Sequence, residues 1–282
     1  MFYLGVSVLA YALNNVLWKR MLSSFAPSIL LTVRAFFTSV IGLLVAFSLY
    51  NNVLVVSQTD FLRSMIASVI GALGLFFMLS ALKQGTLKLL ALYNLFTVFI
   101  TASFLFIFED LDVVNYGYGS FLMLSGYFLF FFHSNKQNLK FPIAVHLKFA
   151  LMSLLFAASG LMHWYNLLEN MHPVFVAANQ EIVVLILGLC LVKLNGYKMI
   201  DIQKVLHFKH LRFIFLMALV IFVAVYFGLL GMLQSNPFIL SLTSLAVPIL
   251  TFFFGVWFFR EKFTLQSIIA LTAMVTAAYL LR

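Results

Sequence analysis

Glu181 is the residue whose position demands the most chemistry in this 282-residue chain. It lies about eight residues into an apolar run that begins at Val174, so at ~1.5 Å per helical residue it sits roughly 12 Å deep. An ionised carboxylate at that depth is costly unless it is solvated or paired, so it faces protein or a cavity rather than lipid. Two functional readings follow: proton coupling, or the counter-ion of a cationic substrate. The structural alternative is a hydrogen-bonded Glu that ties helices together. Its neighbours Asn179 and Gln180 cannot share its face, because successive helical residues are about 100° apart. Arg34 sits several residues inside another apolar run. It can receive a substrate carboxylate or phosphate bidentately, pair with Glu181 across the chain, or snorkel to the headgroups. Lys19, beside Trp18 and Arg20 at a helix end, reads first as an interfacial anchor.

Polar aromatics extend this set. Trp18 lies one turn after Asn14 and shares its face, as Thr97 does with Tyr93. Tyr226 falls mid-run, and His163 and Trp164 lie near the end of another run. Buried Tyr and Trp need partners for their OH and NH groups, which argues for a cavity. Around Glu181, Trp18, Tyr93 and Tyr226 would form a cation–π cage for an amine, with Asn14, Asn15 and Gln180 supplying hydrogen bonds. His163 reads as a proton relay or as a hydrogen-bonded structural residue.

The elements that must hold these groups follow from composition. The chain is 64% hydrophobic and only 9% charged, with a mean hydropathy of +1.10. Soluble domains sit near half apolar and a quarter charged, so the bilayer is the solvent. Spans of about 20 apolar residues are expected near 2–18, 28–49, 62–82, 87–108, 114–132, 147–168, 174–192, 211–232, 236–258 and 264–281. The first is read as a retained helix, since no basic n-region or cleavage site accompanies it. Two links, 133–148 and 193–212, are long and basic. The net charge of +9 is spread singly between apolar runs, which excludes a nucleic-acid face. Cys190 is the single cysteine, so an intrachain disulfide and a Cys-based zinc site are excluded. No His-Glu-x-x-His motif, Gly-x-Ser-x-Gly elbow or Gly-rich phosphate loop occurs, and no metal or cofactor is expected.

The two halves look alike. Phe106-Ile107-Phe108-Glu109 ends one apolar run and Val256-Trp257-Phe258-Phe259-Arg260-Glu261 another, each before a small-residue helix. Pro27 and Pro173 open the second helix of each half. Five helices per half is an odd number, so the second copy enters the membrane upside down. Gly71 and Gly74, and Gly228 and Gly231, stand at spacings that allow close helix contact. The expected fold is an all-α integral membrane bundle of about ten transmembrane helices in two inverted five-helix repeats. The first repeat is 1–133, the linker 134–146 and the second repeat 147–282.

The stretch from Leu245-Ala246-Val247-Pro248 through Glu261-Lys262-Phe263-Thr264 to Ala270 resembles the drug/metabolite transporter superfamily, EamA-like type. The match is to a Pro-containing helix, a Glu thirteen residues later and a small-residue helix. Asn15-Val16-Leu17-Trp18-Lys19, Pro27 and Arg34 are similar to that family's first hairpin. The resemblance implies a central cavity between the halves and alternating access. It carries over Glu109 and Glu261, whose helix-end positions suit capping. Departures are Phe96 in place of a counterpart to Pro248, Tyr165 near the Lys19 position, and Gln180-Glu181 near the Arg34 position.

The function read from these residues is secondary transport of a small polar or amphipathic metabolite. Glu181 favours an amine, and Arg34 an anionic or zwitterionic solute. The alternative is a membrane-embedded enzyme acting on lipid through His163 and Glu181. The expected partners are a small-molecule substrate and membrane lipid, with no nucleic acid, in a plasma or inner membrane. Lys and Arg crowd the links after helices one, three, five, seven and nine, and the positive-inside rule puts those links in the cytoplasm and both termini outside. The family resemblance suggests the reverse. On the charge argument, a Cys placed at position 282 is expected to react with an impermeant maleimide added to intact cells. Labelling only after permeabilisation would reverse the orientation.

Overall fold

A computed structural model describes residues 1–49, 56–110, 113–133, 141–259 and 265–281. The regular elements among them are all helices. They are α1 (Phe2–Leu22), α2 (Pro27–Leu49), α3 (Gln58–Gln84), α4 (Leu87–Phe108), α5 (Val113–His133) and α6 (Ile143–Leu168), followed by α7 (Pro173–Leu194), α8 (Met199–Val205), α9 (Phe208–Gln234), α10 (Pro237–Ser244), α11 (Ala246–Phe259) and α12 (Leu265–Leu280). Six of them contain stretches long and apolar enough to cross a membrane: Pro27–Ser48, Gln58–Gln84, Leu89–Phe108, Ile143–Leu168, Pro173–Leu194 and His210–Gln234. Phe36, Phe47, Phe99, Phe121, Leu154 and Ile186 stand exposed on the outer surface, as lipid-facing side chains do. The fold is that of a multi-pass integral membrane protein.

Each expected apolar run is helical, with three differences. The run 236–258 is two helices, broken at Leu245. Pro248 has no N–H to give the carbonyl of Ser244, one turn earlier. The hydroxyls of Ser241, Thr243 and Ser244 turn back onto the carbonyls of Phe238, Ile239 and Ser241 at 2.9, 2.8 and 2.5 Å, which loosens the same turn. The basic link 193–212 contains α8, whose Asp201 accepts from the Lys198 backbone N–H at 3.1 Å and from Lys204 Nζ at 2.9 Å. Helix α6 begins at Ile143, within the expected linker 134–146. The linker's residues 134–140, with Arg260 and Glu261, lie outside the described residues.

Short polar punctuation sets the helix ends. Thr86 caps α4 by accepting from the Leu89 N–H at 3.2 Å, and Asn236 caps α10 by accepting from the Ile239 N–H at 2.9 Å. Pro173 and Pro237 occupy first turns, where their missing N–H costs nothing. Links of two to four residues, at 23–26, 85–86, 169–172 and 235–236, force the helices they join to run antiparallel. One face of the bundle therefore holds Met1, Glu109, Glu169 and Asn236. The opposite, basic face holds Lys19, Arg20, Lys83, Lys193 and Lys204.

The core lies between the halves. α3 packs on α6, α2 on α7, α1 on α9 and α5 on α12. Small residues permit this. A Cβ on Gly71 would strike Ser159, one on Gly74 would strike Phe156, and one on Gly231 would strike Leu4. The α2–α7 crossing is reciprocal. Gly42, fifteen residues after Pro27, abuts Ala178, five after Pro173. Gly188, fifteen after Pro173, abuts Thr32, five after Pro27. We predict that Gly188→Val, whose Cβ would come within 3.1 Å of the Thr32 Cα, lowers stability by about 1–3 kcal/mol. Gly5→Ala, where nothing lies within 4 Å, should not destabilise. Thermal unfolding in detergent checks both.

Candidate functional site

Three consecutive residues of α7 point three ways. Asn179 donates from Nδ2 to Ser64 Oγ on α3 at 2.9 Å. Gln180 lines a cavity. Glu181 pairs with Nη1 of Arg34 on α2. The helical turn of about 100° per residue produces this divergence. Glu181 and Arg34 are 2% and 0% exposed, and neither lines the cavity. Of the three sequence readings of Arg34, the structure has the pair with Glu181. The guanidinium carbon lies 5.6 Å from the Trp18 ring centroid, a cation–π contact. Arg34 Nε and Nη2 and Trp18 Nε1 have no hydrogen-bond partner among the described residues. Arg34 thus uses few of the donors a guanidinium carries.

The cavity measures about 280 Å³, just under the roughly 300–1,000 Å³ common for ligand sites. α1 contributes Ser7, Tyr11, Asn14 and Asn15; α4 contributes Asn94, Thr97 and Thr101; α6 contributes Ser159 and His163. Gln180 comes from α7, and Ser241 and Ser244 from α10. α3 and α9 supply only glycine and apolar side chains, among them Leu75, Met78, Ile221, Val225 and Leu229. Among the described residues, no Asp, Glu, Lys or Arg lines it. Asn14 Oδ1 and both ring nitrogens of His163 are buried without a hydrogen-bond partner among the described residues. At the Met1 face the lining reaches Pro237, the first residue of α10. Toward the basic face Trp18, Leu82, Leu89, Phe149 and Met152 form a fully buried cluster.

The sequence-expected aromatics sit elsewhere. Trp18 is sealed beneath Arg34. Tyr93 hydrogen-bonds its OH to His146 Nδ1 at 3.1 Å and stacks on Phe96 and Phe149. Tyr226 stacks on Phe222, with centroids 6.1 Å apart. Stacking on neighbouring rings, rather than a cage around a carboxylate, is how these rings bury their faces. Lys19 donates to the carbonyls of Leu82 and Gly85 at 3.0 and 2.8 Å, so it satisfies the C-terminal end of α3 instead of reaching headgroups. Glu109 accepts from the Tyr165 hydroxyl. His163 and Glu181, on which a lipid-acting enzyme would rest, are separated by role, one in the cavity and the other in the ion pair.

Asn14, Asn15, Gln180 and His163 are the expected residues that meet at the cavity. Asn94, Thr101, Ser159, Ser241 and Ser244 were missed. A usable signal existed for α4, where Asn94, Thr97 and Thr101 recur at one helical face within an otherwise apolar run. The hydroxyls of α10 carry no such period, because their exposure to the cavity depends on the break at Leu245.

Residues 145–282 match the EamA-like transporter family. No curated protein sequence matches the chain. A crystal structure of another protein superposes on 98% of this chain and 96% of its own with a TM-score of 0.71, at 14% identity, a likeness of fold.

The ion pair generates a stability prediction. Glu181→Gln leaves a buried Arg34 charge without its partner, and loss of about 3–5 kcal/mol is expected. Replacing both residues together, Arg34→Met with Glu181→Leu, should recover most of that loss, since an apolar pair needs no desolvation of charge. Thermal unfolding of the three proteins distinguishes a brace from an independent carboxylate, for which the second substitution would rescue nothing.

Proposed function

We propose that the protein is a secondary transporter of a small polar or amphipathic solute, a reading supported by the match of residues 145–282 to the EamA-like transporter family. The observation that carries this reading is a largely apolar cavity that carries hydrogen-bonding groups and lies between helices from both halves of the chain. The solute would sit among Asn14, Asn15, Gln180 and His163. The carrier would work by alternating access, with Trp18, Leu82, Leu89 and Phe149 as the barrier toward the basic face and the Met1 face as the present entrance. Glu181 and Arg34 would hold α2 on α7 through the cycle. A plasma or inner membrane is the setting this reading needs.

Ten spans in two inverted five-helix repeats, 1–133 and 147–282, form the architecture we propose beneath this function. Counting α10 and α11 as one broken span and setting aside the short α8 leaves ten. The reciprocal α2–α7 crossing supports the inversion, because mutual contact between equivalent residues is what a two-fold axis produces. With α2 and α7 antiparallel, that axis lies in the membrane plane. A broken helix beside the cavity is likewise usual for such carriers.

Thiol labelling checks the access path without knowledge of the solute. In a Cys190→Ser background, Ser241→Cys is expected to react with an impermeant maleimide from the Met1 face alone. Reaction from both faces in the absence of solute would indicate a pore. Protection from both would make the cavity a packing void.

A further inference from the structure

The cavity's polar surface is built entirely from neutral groups among the described residues: amides of Asn14, Asn15, Asn94 and Gln180, hydroxyls and one imidazole. The buried charges of Arg34 and Glu181 pair with each other and do not line it. An ion entering would give up its hydration with no counter-charge to replace it. We infer that the site takes an uncharged amphipathic solute that both donates and accepts hydrogen bonds. This rests on the transport reading above and narrows the substrate class, in place of the amine or zwitterion that Glu181 and Arg34 suggested from sequence.

Three features support the inference independently of charge. A neutral imidazole presents one donor and one acceptor nitrogen; His163 is a cavity-lining residue, and both its ring nitrogens are buried with no hydrogen-bond partner among the described residues. An amide or hydroxyl on the solute answers both roles. A carboxylate brings no donor and an ammonium no acceptor, so either ion leaves one nitrogen unanswered. Asn14 Oδ1, also buried and unpartnered, adds an acceptor that a carboxylate would repel. Next, polarity is segregated by helix. α1, α4, α6 and α10 bring the hydrogen-bonding groups, while α3 and α9 bring apolar ones, which suits a solute with a polar edge and an apolar body. Finally, a cavity of about 280 Å³, near the lower end of the roughly 300–1,000 Å³ common for ligand sites, suits a small solute.

Three probes of one shape and different charge test this: benzamide, benzylammonium and benzoate. The full-length protein in nanodiscs is titrated with each at neutral pH by calorimetry, and counterflow of each is followed in phosphatidylcholine liposomes. Benzamide is expected to bind about ten-fold or more tighter than either ion. Gln180→Leu should weaken it by roughly two- to ten-fold, the loss of one neutral hydrogen bond, without lowering the unfolding temperature. Preference for either ion overturns the substrate class, and if that ion shows counterflow the transport reading survives. Benzamide binding without counterflow supports the recognition chemistry and removes the transport reading. Binding of none of the three overturns the inference.

Discussion

The α2–α7 crossing, closed by the buried Arg34–Glu181 pair, is the constraint on which the rest of this protein depends. A charge removed from both water and lipid persists only beside its opposite. The pair lies between the two close contacts of Gly42 with Ala178 and of Gly188 with Thr32. Under the inverted-repeat architecture, residues near such a crossing face their own counterparts. Two arginines or two glutamates there would repel at short range without solvent to screen them. On that architecture the repeats would have to differ at this point, and the Gln180-Glu181 sequence near the position of Arg34 fits such a difference. Because Glu181 turns toward α2, Gln180 turns toward the cavity. One asymmetry thus supplies both the brace between halves and a neutral wall for the site.

Lipid imposes a second requirement, that polar groups be satisfied by the protein. Much of the polar inventory is consumed this way. Thr32 and Thr38 donate to the carbonyls one turn before them, at 2.8 and 3.0 Å. Ser7 and Ser159 donate to the Ala224 and Ala67 carbonyls on neighbouring helices, at 2.7 and 2.8 Å. Among the described residues, the buried side-chain atoms left without partners include Asn14 Oδ1 and the His163 ring nitrogens, on residues that line the cavity, and Arg34 Nε and Trp18 Nε1, beside the ion pair. Others, on Ser39, Ser68, Ser120 and Asn166, belong to residues outside the cavity lining.

Close packing makes these arrangements compatible. Glycines at 71, 74, 228 and 231 let α3 approach α6 and α9 approach α1, and without a hydrophobic drive between helices in lipid such contacts do much of the binding. The same glycines leave room on the cavity side, where Gly71 and Gly228 form part of the lining. Packing and site are two uses of the same small residues.

Hydropathy alone determined that the chain crosses a membrane and where its helices run, because a span must be apolar over its whole length and that signal is local. Glycine spacing and the prolines marked the close contacts and helix starts for the same reason. The depth of Glu181, and with it the need for a partner, was equally legible. Which side chains face one another was not. A residue at mid-span can point at lipid, at a neighbour or into a cavity, and a rotation of about 100° separates these fates. Tertiary packing therefore decided that Glu181 meets Arg34 while Gln180 meets the cavity, that Trp18 lies against the Arg34 guanidinium, and that Tyr93 and Tyr226 stack on phenylalanine rings. It also decided that the hydroxyls of α10 reach the site, since a break at one turn redirects every side chain beyond it.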